Sequence, residues 1–100
     1  MTEPIDRSLN IAYLDMEKLT FPLTLRKWKK GDYFYPLGMK QKKKVSDFLV
    51  DQKIPRIMKE SILILASKQE ICWLAGLRID DRFSLKNSTK DILKVEMKDF

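Results

Sequence analysis

One hundred residues with a formal net charge of +6, 44% hydrophobic and 34% charged, describe one folded domain with a charged surface, not a disordered or multidomain chain. A chain of this size buries roughly 60 to 65% of the surface it exposes when unfolded, which leaves a modest core and no deep enclosed cavity. With no histidine, one cysteine and three widely spaced glycines, the sequence excludes Ser-His or Cys-His nucleophiles, common zinc patterns and the glycine loops that cradle nucleotides.

Residues 1–14 read as a peripheral segment, weakly extended from Asn10 to Met16, and residues 15–100 as a single domain. The start lacks the basic and apolar regions of a signal peptide, and the longest apolar runs fall far short of the roughly 18 residues of a membrane span. With Cys72 as the lone cysteine, a reduced cytoplasmic location without membrane contact is expected. Leu23 to Trp28 mixes Thr, Leu and Trp at two-residue spacing, as in a strand. Gly31-Asp32 marks a turn, Tyr33-Phe34-Tyr35 is β-prone, and Pro36-Leu37-Gly38 is a second turn. Val45, Phe48, Leu49 and Gln52 fall on one face of a short helix that Ile54-Pro55 stops. Ile62–Ala66 and Ile71–Ala75 form a largely buried hairpin, and Arg78 to Leu85 reads as a further extended segment. Leu93, Val95 and Met97 alternate with charged residues, the pattern of a half-buried edge strand. The fold class is therefore mostly β (α+β) with one or two short helices, its core built on Leu25, Phe48, Leu63, Leu65, Trp73 and Leu74.

No catalytic residues or metal ligands emerge. Asp80 and Asp81 would point to opposite faces of a strand, which leaves them as turn or strand-end charges, with Asp80 on the same face as Arg78 and Arg82, which can pair with it. Cys72 and Trp73 sit in an apolar strand and are core residues.

The distribution of charge is the informative feature. Between Arg26 and Lys44 stand eight Lys or Arg against Asp32 alone, whereas residues 1–25 carry four acids and only Arg7 and Lys18. A solvated charged face is the plain reading of such a run. Two features favour phosphate binding instead. Lys42, Lys43 and Lys44 stand at the expected helix start, where the macrodipole disfavours cations and a bound phosphate would reverse the sign. Trp28, Tyr33, Phe34 and Tyr35 interleave with the charges, as in surfaces that grip a backbone, although packing accounts for at least half of them. The candidate phosphate ligands are Arg26, Lys29, Lys30, Lys40, Lys42, Lys43 and Lys44, with Arg56, Lys59 and Arg78 as auxiliaries. Gly31 and Gly38 shape the turns that present them.

In order and spacing, Leu23 to Asp32, Pro36-Leu37-Gly38, Lys42-Lys43, Phe48, Ile54-Pro55, Trp73, Gly76 and Ile79 to Phe83 resemble the C-terminal domain of bacterial tRNA(Ile)-lysidine synthetases. Gln41 departs from the pattern, standing near a turn where a second small residue is expected. The resemblance implies a small β-rich fold shared with the phenylalanyl-tRNA synthetase beta subunit, and a module that docks the acceptor stem of tRNA(Ile). It implies a parent ligase that uses ATP and Mg to attach lysine to the anticodon wobble cytidine. That chemistry would belong to an N-terminal catalytic domain with a Ser-Gly-Gly-x-Asp-Ser loop that this sequence lacks, so no cofactor is expected here. A homodimer of the parent stays open. The alternative, from another class, is a non-catalytic interaction module packed on its own catalytic domain or another acidic protein surface.

Overall fold

The computed structural model describes residues 9–98, so the expected peripheral character of residues 1–8 lies outside the described residues. Eight strands and two short helices follow one another: β1 (Ile11–Asp15), β2 (Leu23–Lys27), β3 (Tyr33–Phe34), β4 (Lys43–Lys44), α1 (Val45–Asp51), α2 (Arg56–Lys59), β5 (Leu63–Ser67), β6 (Glu70–Leu74), β7 (Arg78–Ile79) and β8 (Ile92–Glu96). The mostly β class with short helices is the observed one. The central sheet has the order β2-β5-β6-β7, with all neighbours antiparallel. Two-stranded ribbons, β3-β4 and β1-β8, complete the described fold.

The hairpin β5-β6 explains why its sequence is apolar throughout. One cluster gathers Ile64, Ala66, Ile71 and Leu74 with Phe34 of β3 and Val45, Phe48 and Leu49 of α1. Phe34 and Phe48 meet edge to face with ring centroids 5.2 Å apart, the arrangement that aromatic quadrupoles favour. A second cluster gathers Leu65, Cys72, Trp73 and Ala75 with Ala12 and Leu14 of β1 and Phe83. Burial on both faces produces continuous apolar runs where a one-sided sheet would alternate. The pairing register shifts between Leu65 and Ala66. That bulge places the neighbours Cys72 and Trp73 in the same cluster.

Three expectations are corrected. Ile11 to Leu14, expected to be peripheral, belong to the fold: β1 pairs along its whole length with β8, and Ala12 and Leu14 are buried. Leu25, expected in the core, is 61% exposed. Arg78 to Leu85 is extended only at β7, after which residues 81–83 form a 3-10 turn with Asp80 as its cap. The carboxylate of Asp80 accepts from the backbone N–H of Arg82, which starts that turn. Helix α2 lay outside the sequence reading; its four residues are too few for a periodicity signal.

Candidate nucleic-acid interface

Most of the basic residues anticipated from sequence are brought together by the turn between β2 and β3 and by the ribbon β3-β4. Asp32 organises the turn. Its carboxylate accepts from the backbone N–H of Lys29 at 2.8 Å and from both terminal nitrogens of Arg26 at 2.9 Å. Burial pushes the Asp32 carboxyl up, but these hydrogen bonds and the charge of Arg26 outweigh it and hold it below the usual carboxylate range. The same bonds raise the Arg26 guanidinium. Gly31 and Gly38 have φ of +97° and +88°, values that a residue with a Cβ adopts only under strain, so both turns need glycine.

The turn thereby holds Lys29 and Lys30 at its exposed end. Tyr33 pairs with Lys44 and Phe34 with Lys43, and the Val45 N–H donates to the Asp32 carbonyl at 3.0 Å. These bonds fix the Lys29–Asp32 turn beside the Lys42–Lys44 segment. Lys42, Lys43 and Lys44 line an open groove of about 610 Å³ shared with Met39, Gln41, Asp47, Val50 and Asp51. Among the described residues, the exposed Lys29, Lys30, Lys40, Lys42 and Lys44 have no carboxylate within ion-pair distance.

Other anticipated ligands are already engaged. Arg26 is held in the bidentate pair with Asp32, which ties it to the turn. Lys43 pairs with Asp51, at the opposite end of α1 from the lysines. Arg78 lies over the buried Phe48 ring, 5.2 Å from its centroid, and makes no ion pair with Asp80. Arg56 is exposed, and Lys59 is half-buried with its carbonyl accepting from the Trp28 indole. The helix-start argument weakens as well. Lys44 does stand at the N-cap of α1, as anticipated, but Lys43 and Lys44 form β4, the first helical N–H is already bonded to the Asp32 carbonyl, and Asp47 stands in the first turn.

The aromatic residues divide similarly. Phe34 is fully buried, Trp28 packs against the core, and Tyr35 lies under the Arg82 guanidinium at 4.4 Å. Only Tyr33 presents its ring, 44% exposed, with the Lys42 ammonium 4.2 Å from the centroid.

Sequence reasoning passed over two features. The first is the burial of Asp80: as anticipated it sits at a turn and pairs with Arg82, but its carboxylate is fully buried. It accepts from the Tyr35 N–H at 2.9 Å and from the Arg82 side chain at 3.0 and 2.9 Å. The Asp80 bonds raise the Arg82 guanidinium against the opposing effect of burial. The second is α2, where Ile57 is 88% exposed. The lone thiol of Cys72 is buried, and burial pushes it up to about 12, so it is not nucleophilic at neutral pH. No helix among the described residues is long and apolar enough to cross a membrane.

A sequence profile described as the TilS substrate C-terminal domain matches residues 23–96. The chain is 52% identical over 92 residues to a tRNA(Ile)-lysidine synthase of Parabacteroides distasonis, covering 92% of this chain and 21% of that protein. It is 38% identical over 94 residues to a tRNA(Ile)-lysidine synthase of Dehalococcoides mccartyi, covering 94% of this chain and 20% of that protein. The chain thus spans about one fifth of the length of these relatives. A solved structure, the crystal structure of a TILS C-terminal domain, superposes with a TM-score of 0.75 at 20% identity, over 98% of this chain and 79% of that one.

Proposed function

The chain belongs to the family of TilS C-terminal domains found in tRNA(Ile)-lysidine synthases, and from that premise we propose that it is the tRNA-docking module of such an enzyme. In this reading the exposed ammonium groups of Lys29, Lys30, Lys40, Lys42 and Lys44 grip phosphates of the tRNA(Ile) acceptor stem. The observation that carries the proposal is the β3-β4 pairing, which sets the Lys29–Lys30 turn beside Lys42 and Lys44, none of these four having a carboxylate within ion-pair distance among the described residues. Phosphate contacts position a duplex without reading its sequence. They therefore suit a module that anchors a substrate whose reacting base lies elsewhere. Arg26 and Gly31 contribute by holding the turn, and Tyr33 offers its ring to a sugar or base.

The reaction belongs to the parent protein. In this reading ATP and Mg belong to the rest of the parent protein, since the three glycines of this chain form no phosphate loop. The lysine-to-cytidine ligation, the cytoplasmic setting and any homodimer are assigned here to the parent on family membership alone.

The test is a titration of the chain with tRNA(Ile) across a salt series. Neutralising four or five phosphates predicts an affinity falling with a logarithmic slope of roughly 3 to 4.5. A flat salt response, or no binding at low salt, would remove the proposal.

A second reading rests on Leu25. It stands exposed at the mouth of an apolar cavity of about 130 Å³ lined with Leu65, Trp73, Val95 and Met97. A protein surface, such as the rest of the enzyme, would cover it. Leu25→Ser would then weaken association with the separately expressed remainder of a lysidine synthase and leave tRNA affinity unchanged.

A further inference from the structure

Helix α2 forms a protruding tip with an uncommon composition. Ile57 and Met58 are 88% and 53% exposed, and Arg56 and Lys59 flank them in the chain. One exposed aliphatic residue on a surface requires no explanation; two neighbours on one turn, preceded by the exposed Arg56 and followed by the half-buried Lys59 and the exposed Glu60, form a patch with a net positive margin. The tip is built rigidly. Met58 N–H donates to the Pro55 carbonyl at 2.9 Å, and Ser61 Oγ donates to the Met58 carbonyl at 2.9 Å. The Lys59 carbonyl accepts from the Trp28 indole N–H and from the Ile62 N–H, and the Trp28 N–H donates to the Ile62 carbonyl. The apolar pair is thus presented in a fixed conformation, with little left to order on binding.

In the chain the tip follows closely on the basic groove. Val50, which lines that groove beside Lys42–Lys44, is the last-but-one residue of α1, and residues 52–55 connect it to α2. Lys53 and Arg56 add positive charge across this connection, both exposed.

A binding partner that matches must be apolar at its centre and anionic at its margin. The side of an RNA duplex does not qualify, because it presents phosphates, sugars and groove edges but no flat apolar face. The open end of a duplex does, since the terminal base pair exposes its π-face between the phosphates of two strands.

We propose that Ile57 and Met58 cap the open end of an RNA duplex, with Arg56 and Lys59 on the flanking phosphates, so that the module senses where a helix terminates. This rests on the RNA-binding reading above and adds an end preference that phosphate contacts alone cannot supply.

The test uses the 100-residue chain and two RNAs of equal length and phosphate count. One is a hairpin with one blunt open end; the other is a ligated dumbbell closed by tetraloops at both ends. Fluorescence anisotropy at fixed low salt is expected to give about tenfold tighter binding to the open hairpin, the effect of burying about half to one aliphatic side chain in total, as when two are partly covered. Ile57→Ser with Met58→Ser should erase that ratio while dumbbell affinity holds within twofold. Ile57→Leu with Met58→Leu should restore it. Lys42, Lys43 and Lys44 to Ala should weaken both RNAs in parallel and preserve the ratio. Equal binding of the two RNAs by the unmodified chain overturns the proposal, as does an end preference that survives the double Ser change. So does a double Ser variant that keeps its RNA preference but loses affinity for the remainder of a lysidine synthase, which would make the tip a protein contact. Failure to bind either RNA would instead defeat the RNA-binding reading itself.

Discussion

Arg82 and Lys44 carry the same charge under opposite conditions. At the Asp80 corner, a carboxylate with no solvent exposure is met by the N–H groups of Tyr35 and Arg82 and by the Arg82 guanidinium, which also pairs with Glu70. The corner ties the segment after β3 to the end of β7, a join reinforced by the Asp81 N–H donating to the Tyr35 carbonyl. Along the rim formed by the Lys29–Asp32 turn and β4, by contrast, the exposed lysines have no carboxylate within ion-pair distance among the described residues. Charge serves packing where partners satisfy it and remains available to a ligand where they do not. Density along the chain does not separate the two: Arg26 sits within the basic run yet behaves like the corner, fixed to Asp32.

The largest expected effect lies at the corner. Asp80→Ala leaves the Tyr35 N–H without its acceptor and Arg82 without its buried partner, at a cost of about 3 kcal/mol. The urea midpoint should fall sharply. RNA affinity measured where the variant is still folded should be unchanged, and a selective loss of affinity would show that the two regions are not separate.

The rim variant should behave in reverse. Lys42, Lys43 and Lys44 to Ala is expected to weaken tRNA binding roughly 10- to 100-fold and lower the salt slope by about 2, with stability altered by about 0.5 kcal/mol or less. An unaltered gel-shift titration would contradict the assignment of the rim.

Arg26→Ala tests the boundary between the two behaviours. Loss of the bidentate pair should cost about 1 kcal/mol and disturb the Lys29–Lys30 turn, yet the salt slope should stay within about half a unit of the original, because Arg26 neutralises no phosphate. A slope reduced by a full unit would move Arg26 from the turn to the ligand.

The pH response of the same pair is smaller. The Asp32 carboxyl is depressed in the fold, so its contribution is complete above the ordinary carboxylate range, near pH 4, and is lost as pH falls through the depressed folded value. The stability difference between the unmodified chain and Arg26→Ala should therefore narrow as the pH falls below about 4, and a constant difference in urea midpoints through that descent would exclude the linkage. Smallest of all, native Cys72 should resist iodoacetamide at pH 8 and react only after unfolding, since its thiol is buried and pushed up to about 12.

Several elements are legible from sequence because they depend on local chemistry. The paired apolar runs produce β5-β6, Gly31 and Gly38 supply the left-handed turns, and the alternation through Leu93 and Val95 gives β8, although α1 stops at Asp51, with Lys53 in the left-handed region, before Ile54-Pro55 is reached. The family resemblance and the concentration of lysines were likewise available from the chain alone. Other features depend on partners distant in sequence. Residues 11–14 became structure because β8 hydrogen-bonds to them, and Leu25 became surface because the cluster on its side of the sheet closes over Leu65 and Trp73 instead. Asp80 is a hub because the segment after β3 arrives beside it.

The same division runs through the candidate interface. The sequence by itself determined that positive charge is concentrated between Arg26 and Lys44, since charge is a property of the residue type. Only the tertiary structure decided that Arg26 and Lys43 are engaged by Asp32 and Asp51 while Lys29, Lys30, Lys42 and Lys44 stand together. It also decided that the Ile57–Met58 tip faces solvent. An ion pair falls off with distance, and the fold sets those distances.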